Sequence, residues 1–191
     1  MPYAVELFFD QRTDRAVRRL WKWLADEGIS TYLASSDSIP HISLGGFDDL
    51  DGVQTAQVTE ALQSLAEGAG PFPLSFTGIE GFVNTGVIFL ALEHSPELNG
   101  LHARFCTALG DMRHHLWPLY APGAWVPHCT VAVEVQPCSR HLVDEMSRAL
   151  SEHIELPWPA TVDRMGLVKF RPIVHQAHFP LGGNNDATQP G

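Results

Sequence analysis

Two short motifs in the sequence pair a histidine with a hydroxyl side chain two residues later. The segments 40–44 (Pro-His-Ile-Ser-Leu) and 127–131 (Pro-His-Cys-Thr-Val) both follow the pattern Pro-His-apolar-Ser/Thr-apolar. A histidine two residues before a serine or threonine is common by chance. The five-residue pattern is far rarer, because only 14 residues of the chain are prolines. Two copies are therefore a strong signal.

The spacing within each motif suits phosphoryl chemistry. Residues two apart on a β-strand point to the same face, so His41 projects with Ser43 and His128 with Thr130. If the two motifs face each other, one imidazole can activate a water or hydroxyl while the other protonates a leaving oxygen. The hydroxyls can donate to the non-bridging oxygens of a phosphate. This chemistry needs no metal.

The elements that must position these motifs alternate between strands and helices. Apolar periodicity, with Asp14 and Ser139 as helix N-caps, predicts the element order β-α-β-α-β followed by β-α-β-α-β-β. The strands are predicted at 3–9, 39–47, 72–82, 87–92, 125–135, 159–170 and 173–179, and the helices at 14–27, 53–67, from Pro96 and after Ser139, with a loop at 110–124.

This order indicates an internal duplication. The second motif lies 87 residues after the first, and the same offset carries helix 53–67 close to the fourth helix and strand 72–82 onto the penultimate strand. We therefore predict an α+β fold in which two β-α-β-α-β lobes, about 1–84 and 85–181, are related by pseudo-two-fold symmetry. The two lobes would form a single domain, 1–181. Residues 182–191 are predicted to be a disordered tail.

The motifs and the duplicated lobes resemble the 2H phosphoesterases, which include 2′-5′ RNA ligase-like and cyclic phosphodiesterase proteins. The resemblance covers about residues 3–180 and implies a bilobal α+β fold without a cofactor, in which two antiparallel-type sheets line a central groove. It implies that His41 and His128 are the catalytic acid/base pair and that Ser43 and Thr130 bind phosphate. Ser43 stands where threonine is frequent in the family, and the hydroxyl is kept. Members open 2′,3′-cyclic phosphates or related diesters, cleave 2′-5′ linkages, or join RNA ends.

Four further residues are candidates for substrate contact. Lys169 and Arg171 close the penultimate strand, where cations can meet a phosphate. Trp125 and Phe47 flank the motif strands, where an aromatic ring can stack on a base. Alternative roles are a surface position for the two cations and a core or rim position for the two aromatic side chains.

The remaining histidine clusters do not predict a metal site. His175 and His178 lie three apart on a predicted strand, so we expect them to face opposite sides of the sheet. His114 and His115 are adjacent in the predicted loop 110–124. We therefore predict no bound metal.

The charge of the chain limits its partners. The formal net charge is −10, which argues against binding along duplex DNA and against a basic membrane anchor. A small nucleotide or an RNA end that carries a cyclic phosphate is a better match for a chain with this net charge. Since two lobes can supply the whole site, we expect a monomer.

The cysteine content and the N-terminal sequence point to the cytoplasm. Three cysteines without CxxC spacing form neither a disulfide framework nor a zinc site. The N-terminus lacks the basic and apolar regions of a signal peptide, and no apolar run is long enough to span a membrane. We predict a cytoplasmic protein with reduced thiols.

The sequence favours a metal-independent cyclic phosphodiesterase. Two alternatives stay open: a 2′-5′ RNA ligase or RNA-end-processing enzyme, and a non-catalytic module that binds nucleotides or RNA ends. The first alternative requires a basic path leading to the groove. The sequence does not say which histidine is the acid.

Overall fold

Residues 1–182 are described by a computed structural model, in which the elements follow the predicted order. The strands are β1 (Tyr3–Phe9), β2 (His41–Phe47), β3 (Phe72–Phe82), β4 (Val87–Leu92), β5 (His128–Ala132), β6 (Trp158–Lys169) and β7 (Val174–Pro180). The α-helices are α1 (Gln11–Asp26), α2 (Tyr32–Ser35), α3 (Gly52–Glu67), α4 (Pro96–Ala108) and α5 (Arg140–Ser151), and two 3₁₀ helices occupy Gly110–His115 and Pro118–Tyr120. The predicted tail lies outside the described residues, apart from Gly182.

The strands form one antiparallel sheet with the order β2-β1-β6-β3-β4-β5, and β7 pairs with β6 beside this path. The predicted α+β class and antiparallel pairing are confirmed. The two expected sheets are joined, because the long strand β6 pairs with β3 through residues 158–162 and with β1 through residues 162–169.

The strand order has the symmetry that the repeat predicts. In the repeat, β1, β2 and β3 correspond to β4, β5 and β6. Exchanging each strand for its counterpart turns the order β2-β1-β6-β3-β4-β5 into the same order read backwards. The halves exchange strands, since β3 pairs with β4 of the second half and β6 pairs with β1 of the first half. The motif strands β2 and β5 consequently stand at the two ends of the path.

Strand β1 shows how the sheet divides its two faces. Val5, Leu7 and Phe9 belong to the hydrophobic core together with the apolar stripe of α1. Glu6 lies on the opposite face, where it lines a cleft. Alternation along one strand thus separates the core from the face that carries the site.

Several element ends differ from the sequence prediction for local reasons. Helix α1 begins earlier because Asp10, not Asp14, accepts the hydrogen bond from the Thr13 amide and caps it. Strand β5 is shorter than predicted at both ends. Before the strand, the Trp125 amide donates a hydrogen bond to the Ala121 carbonyl, and after it Glu134 adopts a left-handed φ of 59°. The predicted loop 110–124 contains the two 3₁₀ helices.

The helices of the described part of the chain do not include a membrane-spanning candidate. None of them combines the length and the apolar composition needed to cross a bilayer.

Candidate active site

The two motifs meet where the ends of the sheet curl toward each other. His41 opens β2 and His128 opens β5, and these two strands lie in contact although they are at opposite ends of the strand path. Both histidines are half-buried, as are Ser43 and Thr130. The alternate residues Ile42, Leu44, Cys129 and Val131 are buried in the core behind them. His41, Ser43 and Thr130 line one cleft, and His128 projects from β5 on the same face as Thr130.

Both imidazoles are held in the same way. His41 Nδ1 lies 2.6 Å from the Ile39 carbonyl oxygen, and His128 Nδ1 lies 2.7 Å from the Val126 carbonyl oxygen. A carbonyl oxygen only accepts, so each Nδ1 carries the hydrogen and donates it. Each Nε2 is left to exchange a proton with whatever occupies the cleft.

A buried carboxyl group lies beside one of the two histidines. Glu6 on β1 is only 7% exposed, and its Oε1 lies 3.5 Å from His41 Nε2. Burial raises the pKa of Glu6, and the nearby His41 and His175 oppose this effect by favouring the carboxylate. Glu6 and His41 are thus electrostatically coupled inside the cleft.

An apolar ring takes the corresponding place beside the other histidine. Glu6 pairs with Ser43 across β1 and β2, and Phe89 pairs with Thr130 across β4 and β5. The Phe89 ring centroid lies 4.8 Å from that of His128. Burial lowers the pKa of His128, and the charge of His41 acts in the same direction. The pseudo-symmetric site is therefore chemically asymmetric.

A family model named the 2′-5′ RNA ligase superfamily matches residues 9–172. The chain belongs to this superfamily. Membership indicates a phosphoesterase or an RNA ligase-like enzyme. No match was found among proteins of curated function.

Solved structures agree with the superfamily on the fold. TT0787 of Thermus thermophilus has a TM-score of 0.66 and 17% identity, and the alignment covers 96% of this chain and 100% of that one. E. coli LigT complexed with NADP+ has a TM-score of 0.64 and 12% identity, with coverage of 95% and 99%. E. coli LigT complexed with 3′-AMP has a TM-score of 0.63 and 12% identity, with coverage of 94% and 96%.

Aromatic side chains form part of the lining of the cleft in this superfamily member. Trp117, Tyr120, Phe170 and Tyr32 of the short helix α2 are among its lining residues. Tyr120 lies beside Ser43 in this lining, and burial raises the pKa of Tyr120, which keeps the phenol protonated. The cleft thus offers a third hydroxyl beside the two motif hydroxyls.

The loop that carries Tyr120 is fixed to the scaffold at three points. His102 of α4 is buried, and its Nε2 lies 3.0 Å from the Tyr120 carbonyl oxygen. Burial lowers the pKa of His102, so the neutral ring donates this bond. The His102 ring stacks on Trp125 with centroids 3.9 Å apart, and Trp125 Nε1 donates to the Ser43 carbonyl at 2.9 Å. These contacts hold Tyr120 over β2.

Gly46 on β2 allows this close approach of the loop. A Cβ atom there would lie 2.5 Å from Cε3 of Trp117 and 2.9 Å from Cε2 of Tyr120. We expect Gly46→Ala to destabilise the protein by about 1–3 kcal/mol through overpacking, and to weaken substrate binding because Tyr120 is displaced. Thermal denaturation and KM would measure the two effects. Gly52→Ala is the control, since a Cβ at Gly52 meets nothing within 4 Å; equal results for both variants would contradict the prediction.

The four additional candidates from the sequence are placed differently from the motif residues. Phe47 is fully buried, so the stacking role predicted for it is wrong. The Trp125 ring stacks on His102 and its Nε1 donates to the Ser43 carbonyl, so this side chain stabilises the loop above β2. Lys169 lies over the Tyr3 ring, on the core side of β1. Arg171 is exposed in the turn between β6 and β7 with a φ of 70°.

The expectation that His175 and His178 face opposite sides is wrong. Val168 pairs with His175 and Leu167 pairs with Ala177, which leaves Gln176 as an extra residue in a β-bulge. The two imidazole centroids consequently lie 5.0 Å apart on one face of the sheet. Within residues 1–182, no group of three or more His, Cys, Asp and Glu side chains is arranged to hold a metal ion.

Glu6 and Tyr120 are the site residues that the sequence reasoning missed. A signal for Glu6 was present, because it is the one charged residue in the apolar strand YAVELFF. A carboxyl group that is buried among apolar side chains needs a compensating neighbour, and here that neighbour is His41. Tyr120 gave no comparable signal, since its place depends on how the loop folds over β2.

Proposed function

We propose that this protein is a metal-independent phosphodiesterase that hydrolyses a 2′,3′-cyclic phosphate, or a related cyclic diester, of a nucleotide or RNA end. The observation that carries the proposal is the contact between β2 and β5, which brings the His41 and His128 motifs together. Each imidazole donates Nδ1–H to a backbone carbonyl, so Nε2 is the nitrogen available for proton transfer, and Glu6 Oε1 lies 3.5 Å from that of His41. Each is accompanied by a hydroxyl two residues later.

In the proposed reaction a water oxygen bonds to phosphorus as the bond from phosphorus to one ribose oxygen breaks. The base takes a proton from the water at its Nε2, and the acid gives its Nε2 proton to the departing ribose oxygen. The product is a phosphomonoester. The hydroxyls of Ser43 and Thr130 donate to the non-bridging oxygens, with Tyr120 supporting Ser43.

The asymmetry of the cleft supports His128 as the base and His41 as the acid. Phe89 packs on His128 and burial lowers its pKa, so this imidazole is neutral near pH 7 and accepts a proton. The carboxyl group of Glu6 lies 3.5 Å from His41 Nε2, where it is a partner for the proton that the acid carries. The duplication thus supplies two equivalent histidines, and the Glu6/Phe89 difference gives them opposite roles.

The lining of the cleft supports a substrate with a single negative charge and an apolar portion. Its residues, as far as residues 1–182 go, include no Lys or Arg, and they include four aromatic rings besides the histidines: Tyr32, Trp117, Tyr120 and Phe170. A cyclic phosphodiester carries one charge, and a base can stack on an aromatic ring. The solved structures of E. coli LigT include complexes with 3′-AMP and ATP, which supports a nucleotide ligand here.

Turnover of 2′,3′-cyclic nucleotides in the presence of EDTA tests the proposal. We expect conversion to a single phosphomonoester at a rate that EDTA leaves unchanged, and chromatography against 2′- and 3′-monophosphate standards would identify the product. The four common cyclic nucleotides should be assayed with heat-inactivated protein as the control. Saturable binding without turnover would instead support a non-catalytic module, and joining of RNA ends without hydrolysis would support a ligase.

The proposal also covers the oligomeric state of the enzyme and its location. We propose that it acts as a monomer, because one chain supplies both histidines and both hydroxyls. We also propose a cytoplasmic location, since Cys106, Cys129 and Cys138 are all free thiols.

A further inference from the structure

Helix α1 concentrates positive charge in an acidic protein. It carries five of the twelve Lys and Arg residues of a chain with a formal net charge of −10. Its buried stripe contains Val17, Leu20 and Leu24, and all five cations lie on the opposite, exposed face. We call this face the α1 ridge; it comprises Arg12, Arg15, Arg18, Arg19 and Lys22.

Most of the charge on the α1 ridge is available to a ligand. Within residues 1–182, Arg12, Arg15 and Arg19 form no salt bridge. Arg18 pairs with Asp14, and Lys22 pairs with Asp26. Pairs of this i,i+4 type on a helix surface contribute little stability, so a phosphate can displace them at little cost.

The short helix α2 lies between the catalytic cleft and the C-terminal part of the α1 ridge. Leu33 of α2 lines the cleft, and it also lines a neighbouring hollow formed with Arg18 and Lys22. On another side of α1, Arg12 and Arg19 border a second hollow together with Trp158 and His153. From Arg12 to Lys22 the helix rises about 15 Å, a length over which a nucleic-acid strand carries more than one phosphate.

We infer that the α1 ridge is a binding track for the single strand of an RNA whose 3′ end occupies the cleft. The inference rests on the proposed function, because the cleft must take the terminal cyclic phosphate. The ridge then binds the phosphates upstream of that end. It supplies the basic path that an RNA-end substrate requires and that the cleft itself lacks.

The chemistry of the ridge favours RNA over an acidic peptide. Four of its five cations are arginines, whose planar forks match phosphate oxygens with two parallel hydrogen bonds. The half-buried ring of Trp158 borders the far hollow, where an unpaired base can stack. Cations along a groove with an aromatic ring beside them are typical of single-strand binding.

The test compares two substrates and two triple variants. The ridge variant is Arg12→Gln/Arg15→Gln/Arg19→Gln, and the control, Arg104→Gln/Arg113→Gln/Arg140→Gln, removes the same charge from other exposed positions. The substrates are cytidine 2′,3′-cyclic phosphate and a ten-nucleotide RNA ending in the same group. We expect the ridge variant to lower kcat/KM about tenfold or more for the RNA only, and the control to leave both substrates unchanged.

Salt dependence gives an independent readout. A single strand loses affinity with a slope of about −0.7 per neutralised phosphate in a plot of log K against log salt. Removing three arginine contacts should make the slope for the RNA about 2 units shallower, so a fourfold rise in salt weakens the ridge variant about 20-fold less than wild type. The control variant should keep the wild-type slope.

Each other outcome has a defined meaning. If both variants change RNA turnover equally, or the ridge variant changes neither substrate, the ridge is not a track. If wild type turns over neither substrate, the proposed function fails, and fluorescence anisotropy with a 3′-phosphorylated RNA then tests the ridge alone. Binding that only the ridge variant loses supports the track, and unchanged or undetectable binding overturns it. Poly-glutamate that competes as well as RNA would overturn the RNA assignment.

Discussion

Replacing either His41 or His128 with alanine is expected to lower kcat/KM for a 2′,3′-cyclic nucleotide by about 10²–10⁴. Each variant removes one partner of a concerted proton transfer, so the loss should appear mainly in kcat. The double variant should be little worse than the more damaged single variant, because the two groups act as a unit. Steady-state kinetics at a fixed pH would measure all three.

Controls separate lost chemistry from lost folding in this experiment. Both imidazoles are half-buried at the cleft, so we expect the melting temperatures to stay close to wild type. His114→Ala, at an exposed position in the first 3₁₀ helix, should keep full activity. Near-wild-type turnover by both His41→Ala and His128→Ala would overturn the proposed function.

The motifs could be predicted from the sequence because they depend on short-range geometry. Strand alternation alone places His41 with Ser43, and an apolar residue behind each motif histidine keeps the strand in register. The repeat offset then predicts that the second pair, His128 and Thr130, lies in an equivalent setting. The internal repeat thus predicts that two distant segments occupy equivalent positions, which the pattern of one strand alone does not show.

The errors arose where the outcome depends on register or on the path of a loop. One extra residue, Gln176, reverses the relation between His175 and His178, and a periodicity argument cannot anticipate a bulge. Phe47 follows the motif strand but lies in the core, because the register shift between Val5 and Glu6 pairs it with Tyr3. The net charge, likewise, does not report where on the fold the cations lie.

The difference between Glu6 and Phe89 leads to a second large effect, on the rate of the reaction. In the proposed mechanism the carboxyl group of Glu6 lies beside the acid, 3.5 Å from His41 Nε2. Glu6→Gln keeps the size of this side chain and removes its ability to ionise, so the electrostatic difference between the settings of the two histidines is lost. We expect kcat/KM for a 2′,3′-cyclic nucleotide to fall by about 10–100-fold, or about 1.4–2.7 kcal/mol of transition-state stabilisation.

The acid limb of the pH profile should not move in this variant, because it reports protonation of the base. Burial against Phe89 lowers the pKa of His128, so this limb should lie below the ordinary histidine range in wild type. It should stay there in Glu6→Gln, since Glu6 sits beside the other imidazole. Glu6→Asp keeps the carboxyl group and should restore part of the activity. Glu60→Gln, which removes an exposed carboxylate from α3, is the matched control. Wild-type kcat/KM in Glu6→Gln, or an acid limb that moves with the substitution, would show that Glu6 does not assign the acid role to His41.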